Sequence, residues 1–221
     1  MFKFFKKLIH TKPKVIVICG PTATGKTALS INIAQKFNGE IISADSRQIY
    51  KDLDIGSAKV TREEMNGITH HMIDVADPKE VFSVQQYVSV ANSIIQDILR
   101  RKKTVIICGG TGMYIDSLVH GTQFPQVAPN PTLRSDLEKK STDELFSLLK
   151  EKDPKRAETI DPYNSVRLIR ALEVIDALGV VPKIKKKSKY HVLYIGLDTK
   201  KTLLNQRIKQ RVINRFEKQK I

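Results

Sequence analysis

The strongest constraint on the fold lies in residues 14–30, "KVIVICGPTATGKTALS". The run from Lys14 to Cys19 is apolar and β-branched, as expected of a strand buried on both faces. Gly20 follows, then four residues, then Gly25, Lys26 and Thr27, and a helical pattern to about Phe37. Set between strand and helix, this spacing predicts a phosphate loop rather than a chance glycine turn. The glycines let backbone N–H groups turn inward around phosphate oxygens. Lys26 adds a compact positive charge, and the Thr27 hydroxyl suits Mg²⁺. The candidate phosphate-binding residues are Gly20, Pro21, Thr22, Ala23, Thr24, Gly25, Lys26 and Thr27, with Thr27 the candidate metal ligand.

The pattern then alternates. "EIISA" (40–44) and "TVIIC" (104–108) read as buried strands, "HHMIDV" as a short one ended by Asp77-Pro78, and residues 83–102 as a long helix. Residues 45–69 read as loop. A helix follows Gly109-Gly110-Thr111 and runs to about Val119. Strands alternating with helices predict an α/β fold, a P-loop-type parallel sheet with helices on both faces. From Thr122 to about Lys189 the strand signal disappears, and three or four helices are expected. Ser141 with Glu144 is a capping-box pair, and Gly179 with Pro182 stops the last helix. "KIKKKSK" (183–189) reads as a mobile basic linker, "HVLYIGL" (191–197) as a strand and 199–216 as a helix. The expected organisation is a catalytic core, 1–121 and 190–221, carrying a small helical insertion domain, 122–189.

Charge divides along the same line. The 221-residue chain has a formal net charge of +15. Residues 15–121 carry 11 basic and 11 acidic side chains, whereas residues 122–221 carry 22 basic and 12 acidic. A basic block beside a neutral phosphate-binding half suits a polyanionic partner, most simply nucleic acid. Cys19 and Cys108 each end an apolar run before a glycine, which fits small buried thiols in a reducing, cytoplasmic setting. No apolar run reaches membrane-span length. "MFKFFKKLIH" is too short and interrupted for a secretory signal; a frayed arm entering the first strand fits better than an organelle-targeting arm.

An NTP-hydrolysing enzyme needs a carboxylate closing a buried strand. "TVIIC" ends instead in Gly-Gly-Thr, and the acid falls after "EIISA", as Asp45. There it lies in the crevice where open α/β sheets bind ligands. The motif alone leaves Asp45 three roles: Mg²⁺ ligand, general base, or cap of the following turn.

The stretches "GPTATGKTALSINIA", "GEIISADSRQIYKDLDIGSAK", "HHMIDVADP", "FSVQQYVSVA", "GGTGMYIDSLVHG", "DPKRAETIDPYNSVRLIRALEV" and "LLNQRIKQRV" together resemble the tRNA dimethylallyltransferase, or tRNA isopentenyltransferase, family. The resemblance runs from about Val15 to Val212. It implies transfer of a dimethylallyl group from dimethylallyl diphosphate to N6 of the adenosine 3′ to the anticodon, with diphosphate leaving from the phosphate loop. It implies a catalytic group of Asp45, Thr22, Thr111 and Arg211, with Arg207 one turn before the last. Asp45 would accept the N6 proton, and Ser46, Arg47 and Gln48 would touch the flipped-out base. Arg134 and the "VRLIR" segment, Val166, Arg167, Leu168, Ile169 and Arg170, correspond to tRNA contacts. Thr111 matches a threonine near the acceptor site; its other reading, compatible with this one, is N-cap of the helix it opens. His70 and His71 match a family pair and fit packing better than metal binding. Mg²⁺ is the implied cofactor, and a monomer is expected.

Family members continue well past the arginine helix, and their segment between the counterparts of Arg134 and Asp153 is longer. This chain stops at "VINRFEKQKI", so a fragment, a minimal form and a decayed copy remain open. Three rival functions follow. An enzyme prenylating free AMP, ADP or ATP would not need the basic insertion. A small-molecule kinase would turn over a γ-phosphate, against "ADSRQIY" and "GGTGMY". A catalytically dead RNA-binding homologue would bind without transfer.

Overall fold

The computed structural model describes residues 12–183 and 185–219. The basic amino-terminal arm, residues 1–11, lies outside the described residues. The chain forms two compact units, Met1–Thr122 with Lys186–Ile221, and Gln123–Lys185. Among the described residues no helix is long and apolar enough to cross a membrane.

The first unit runs β1 (Lys14–Cys19), α1 (Lys26–Lys36), β2 (Gly39–Ser43), α2 (Asp54–Ser57), α3 (Arg62–Met65), β3 (His70–His71), α4 (Val84–Arg100), β4 (Thr104–Gly109) and α5 (Gly112–Val119). After β5 (Thr122–Gln123) come four helices of the second unit, α6 (Pro131–Leu137), α7 (Thr142–Lys152), α8 (Pro154–Ala157) and α9 (Ser165–Leu178). Then follow β6 (Lys185–Lys186), β7 (His191–Gly196) and α10 (Lys201–Gln219).

Five strands form one parallel sheet in the order β3-β2-β4-β1-β7. Alternation along the strands assigns the two faces. Ile18, Ile41 and Ile106 point to one side, where Ile31 and Ala34 of α1 cover them. Val15, Val17, Ile42, Val105 and Ile107 point to the other and are equally buried. There the apolar stripe of α4, Tyr87, Ala91, Ile95 and Ile98, recurs at helical spacing. Ser83 and Gln86 form a capping box at the start of α4. The α/β class and the parallel sheet agree with the sequence.

Because every strand of the sheet runs the same way, the loops after β1, β2 and β4 share one edge. The fold thus gathers the glycine loop after β1, Asp45 and Thr111 from three separated segments. Backbone packing there is close. A Cβ at Gly109 would stand 2.1 Å from the Ala44 carbonyl oxygen, and one at Gly20 would stand 2.2 Å from that of Leu197. Gly20 also has φ +147°, which disfavours any side chain.

Several expectations differ in detail. Strand β3 ends at His71 because Met72 and Asp74 turn into the left-handed region, at φ 62° and 56°, before Asp77-Pro78 is reached. Two four-residue helices, α2 and α3, break the loop expected over 45–69. Thr122–Gln123 and Lys185–Lys186 form a second, two-stranded sheet, so the 122–189 stretch is not free of strands and the basic linker is partly ordered. Two-residue strands leave no periodicity to detect.

The second unit is helical and has its own core: Leu145, Leu149, Leu168 and Leu172 with Ile160, Ile169 and Ile175. Its helix ends are capped as the sequence indicates. Ser141 and Glu144 make the capping box of α7. Gly179, at φ 78°, closes α9.

Candidate active site

A cavity of about 520 Å³ opens at the carboxyl edge of the sheet. Thr22, Ala23, Gly25, Lys26 and Thr27 line one side, and Asp45, Gln48 and Arg211 line another. Gly25, at φ 92°, precedes α1 and caps it with no side chain, so the first amides of α1 remain available to an anion. Within the loop the Pro21 carbonyl accepts from Lys26 Nζ at 2.6 Å and from Thr24 Oγ1 at 2.8 Å. The Thr24 hydroxyl therefore holds the loop in shape, and the loop threonines that line the cavity are Thr22 and Thr27.

Burial pushes the Lys26 ammonium below the ordinary lysine pKa; Cys108 and Asp45 pull it back up, and Arg211 adds to the fall. The charged form is the one that would hold a phosphate. Pyrophosphate affinity should therefore fall as pH rises through this lowered pKa, earlier than the roughly 10.4 of a free lysine. Calorimetry of the protein against Lys26→Arg checks this, since the ratio of affinities cancels the ionisation of pyrophosphate itself. A ratio flat to about pH 10 would show that Lys26 does not bear on the anion.

Asp45 lies two residues past β2. Its Oδ1 accepts the N–H of Arg47 at 2.9 Å and that of Gln48 at 3.4 Å. The capping role left open by the motif is thus present, and it occupies one carboxylate oxygen. Thr111 sits at the N-cap position of α5 but does not cap it with its side chain. Its hydroxyl instead accepts the Ser46 N–H at 3.0 Å and lies 3.3 Å from Ser46 Oγ, while its own N–H donates to the Ala44 carbonyl at 3.0 Å. Thr111 therefore ties the loop after β4 to the segment carrying Asp45. Arg211 lines the cavity and donates to the Ala58 carbonyl at 3.1 Å. Arg207 is exposed on the same helix and Arg47 is exposed beside Asp45.

The two histidines separate. His71 Nε2 is 2.7 Å from the buried Glu40, which also holds the Arg101 guanidinium and the Lys103 ammonium. The Arg101 fork, with Lys103 and His71, holds the Glu40 carboxyl far below its usual range, outweighing burial. His70 donates from Nδ1 to the Ile68 carbonyl at 2.9 Å and lines the cavity. Among the described residues no cluster of His, Cys, Asp or Glu offers a protein-only metal cage.

Two supports of this cavity carry no motif signal. Tyr87 stacks on Tyr114 at 4.0 Å between ring centroids, and its hydroxyl donates to the Ser43 carbonyl at 3.0 Å, bracing β2 just before Asp45. The Ala58 carbonyl, which accepts from Gln48 Nε2 and Arg211 Nη2, is the other.

In the helical unit, Arg134 Nη2 lies 2.7 Å and Arg170 Nη1 3.4 Å from the buried carboxylate of Glu173. Glu173 also accepts the Asn130 N–H at 3.0 Å. Arg170 Nη2 reaches the Val127 carbonyl at 2.8 Å. Burial alone would raise the Glu173 pKa; Arg134, Asn130 and Arg170 outweigh it and bring the pKa down. Both arginines keep over a third of their side chains exposed. Val166 and Arg167 are exposed as well. Leu168 and Ile169 correct the expectation: they sit in the core of this unit, on the inward face of α9, so their side chains do not form its surface.

A family model described as IPP transferase matches residues 48–220. The chain belongs to the IPP transferase family. The tRNA dimethylallyltransferase of Anoxybacillus flavithermus is 47% identical over 204 residues, which cover 90% of this chain and 66% of that protein. That of Bacillus subtilis is 42% identical, covering 92% and 68%. Among solved structures of this kind, the full-length tRNA isopentenylpyrophosphate transferase of Bacillus halodurans superposes with a TM-score of 0.65 at 39% identity, covering 94% of this chain and 67% of that one. A eukaryotic dimethylallyltransferase described as acting on tRNA gives a TM-score of 0.82 at 33% identity, covering 93% and 53%. The chain thus spans about two thirds of the length of its curated relatives in the IPP transferase family.

Proposed function

We propose that this chain transfers a dimethylallyl group from dimethylallyl diphosphate to N6 of the adenosine 3′ to the anticodon of tRNA, releasing diphosphate. The observation that carries the reading is the meeting, in one cavity, of a phosphate-binding loop and a carboxylate that follows β2 rather than β4. A γ-phosphate hydrolase would place its acid on the strand beside the loop, and β4 ends there in Cys108 and Gly109.

The chemistry follows from charge. The allylic C1–O bond breaks as negative charge grows on the departing diphosphate. The amides at the start of α1, Lys26, Thr22, Thr27 and Arg211 are arranged to stabilise that charge. The adenine N6 lone pair forms the new C–N bond, and Asp45 takes the proton that N6 gives up. An exocyclic amine is a weak nucleophile because its lone pair is shared with the ring, so a carboxylate that orients it raises the rate. The base must leave its stack to reach the cavity. Ser46, Arg47 and Gln48 continue from Asp45 and would meet it there.

Mg²⁺ fits this donor set. The Thr27 hydroxyl, exposed on the first turn of α1, is a hard oxygen ligand, and Mg²⁺ ordinarily completes its shell with substrate phosphates and water. Bound there, it would neutralise part of the diphosphate charge. The basic helical unit would hold the anticodon stem-loop through phosphates, using Arg134, Arg167 and Arg170.

The test is mass analysis of tRNA nucleosides after incubation with dimethylallyl diphosphate and Mg²⁺. N6-isopentenyladenosine is the expected product. A tightly held ATP cleaved at its terminal phosphate, with no prenylated nucleoside, would overturn the reading.

A further inference from the structure

Ala58 closes α2 in the left-handed region, at φ 53° and ψ 44°. Its carbonyl accepts from two cavity side chains, Gln48 Nε2 at 3.3 Å and Arg211 Nη2 at 3.1 Å. Those side chains are far apart in sequence and share one acceptor. A shared acceptor orients both only if it is itself held, and a left-handed alanine needs support from outside.

The support is the next residue. Lys59 is 6% exposed, which is rare for lysine unless it is paired. Its ammonium donates to the Tyr50 carbonyl at 2.9 Å, to the Asp54 carboxylate at 2.5 Å and to the Asp74 carboxylate. Its backbone N–H donates to the Asp54 carbonyl at 3.0 Å. Lys59 therefore fastens α2 to two other segments, immediately beside the carbonyl that Gln48 and Arg211 share. It does not itself line the cavity.

We propose that Lys59 is a positioning residue for the diphosphate leaving group. By clamping α2 to Tyr50 and Asp74 it fixes the Ala58 carbonyl, and through that carbonyl the Arg211 guanidinium and the Gln48 amide. This rests on the reading of the cavity as a diphosphate site.

Inorganic pyrophosphate binding, followed by calorimetry, tests it without requiring turnover. Lys59→Met keeps the buried stem, and the Asp54 and Asp74 side chains, 63% and 49% exposed, can turn to water, so the fold should survive. The substitution is expected to weaken pyrophosphate about tenfold. In an Arg211→Ala background the same change should cost less than about twofold, because the side chain it positions is gone. If Lys59→Met does not fold, Asp74→Asn removes one anchor and should give the same pattern at smaller size. Unchanged affinity in the folded variant would overturn the proposal. So would a full tenfold loss in the Arg211→Ala background, which marks general loosening. Failure of the unsubstituted protein to bind pyrophosphate would instead overturn the proposed function, and this inference with it.

Discussion

Asp45→Asn should leave binding of an anticodon stem-loop unchanged while lowering prenyl transfer by roughly 10²–10⁴-fold, the usual contribution of a general base. The substitution isolates the proton because of how the side chain is held. Oδ1 accepts the N–H groups of Arg47 and Gln48. An amide oxygen can accept the same two bonds, so the turn after β2 keeps its shape. What is lost is the second oxygen's capacity to take a proton. Stem-loop affinity, measured by fluorescence anisotropy, should fall steeply with added salt and with the same slope in both proteins, since phosphate contacts set that slope. Turnover within a few-fold of the unsubstituted protein would remove Asp45 from the base role. A salt-insensitive affinity would remove the basic helical unit from the RNA contact.

Gly109→Ala should cost both stability and turnover. The added Cβ would stand 2.1 Å from the Ala44 carbonyl oxygen and 2.4 Å from its carbon, both main-chain atoms of the neighbouring strand segment. Neither can rotate away, so β2 and β4 must separate at their carboxyl ends. Overpacking of this kind costs about 1–3 kcal/mol. The Ala44 carbonyl also accepts the Thr111 N–H, and Asp45 is the next residue, so the displacement falls on the site itself. A shift near 1 Å at reacting groups can cost roughly 10²-fold in rate. Thermal unfolding and single-turnover transfer measure the two losses. A variant with unchanged melting temperature and full transfer would refute the close approach of the strands.

The sheet and the loop were legible because their signals are dense. Continuous β-branched runs such as "KVIVIC" and "TVIIC" admit few other structures, and the glycines between "KVIVIC" and the next helical run mark a loop there. Asp45 was legible by position, as the first acid past a strand. The supports were not. The Tyr87–Tyr114 stack joins α4 to α5, and helical spacing alone cannot say which aromatics will meet. The Ala58 carbonyl has no side-chain signature at all. Leu168 and Ile169 illustrate the limit of a contiguous motif: a helix turns consecutive residues about 100° apart, so a five-residue run always contributes to more than one face. Two of five therefore faced inward.

The Arg134–Glu173–Arg170 arrangement bears on how the helical unit could choose a partner. Two guanidiniums share one buried carboxylate, so the group presents a single net positive charge rather than two. What the carboxylate adds is orientation: the planar forks are held at set angles instead of sweeping through solvent. Discrimination at that spot would then come from the spacing of successive phosphates more than from total charge, and lysine at either position would keep the sign while losing the template.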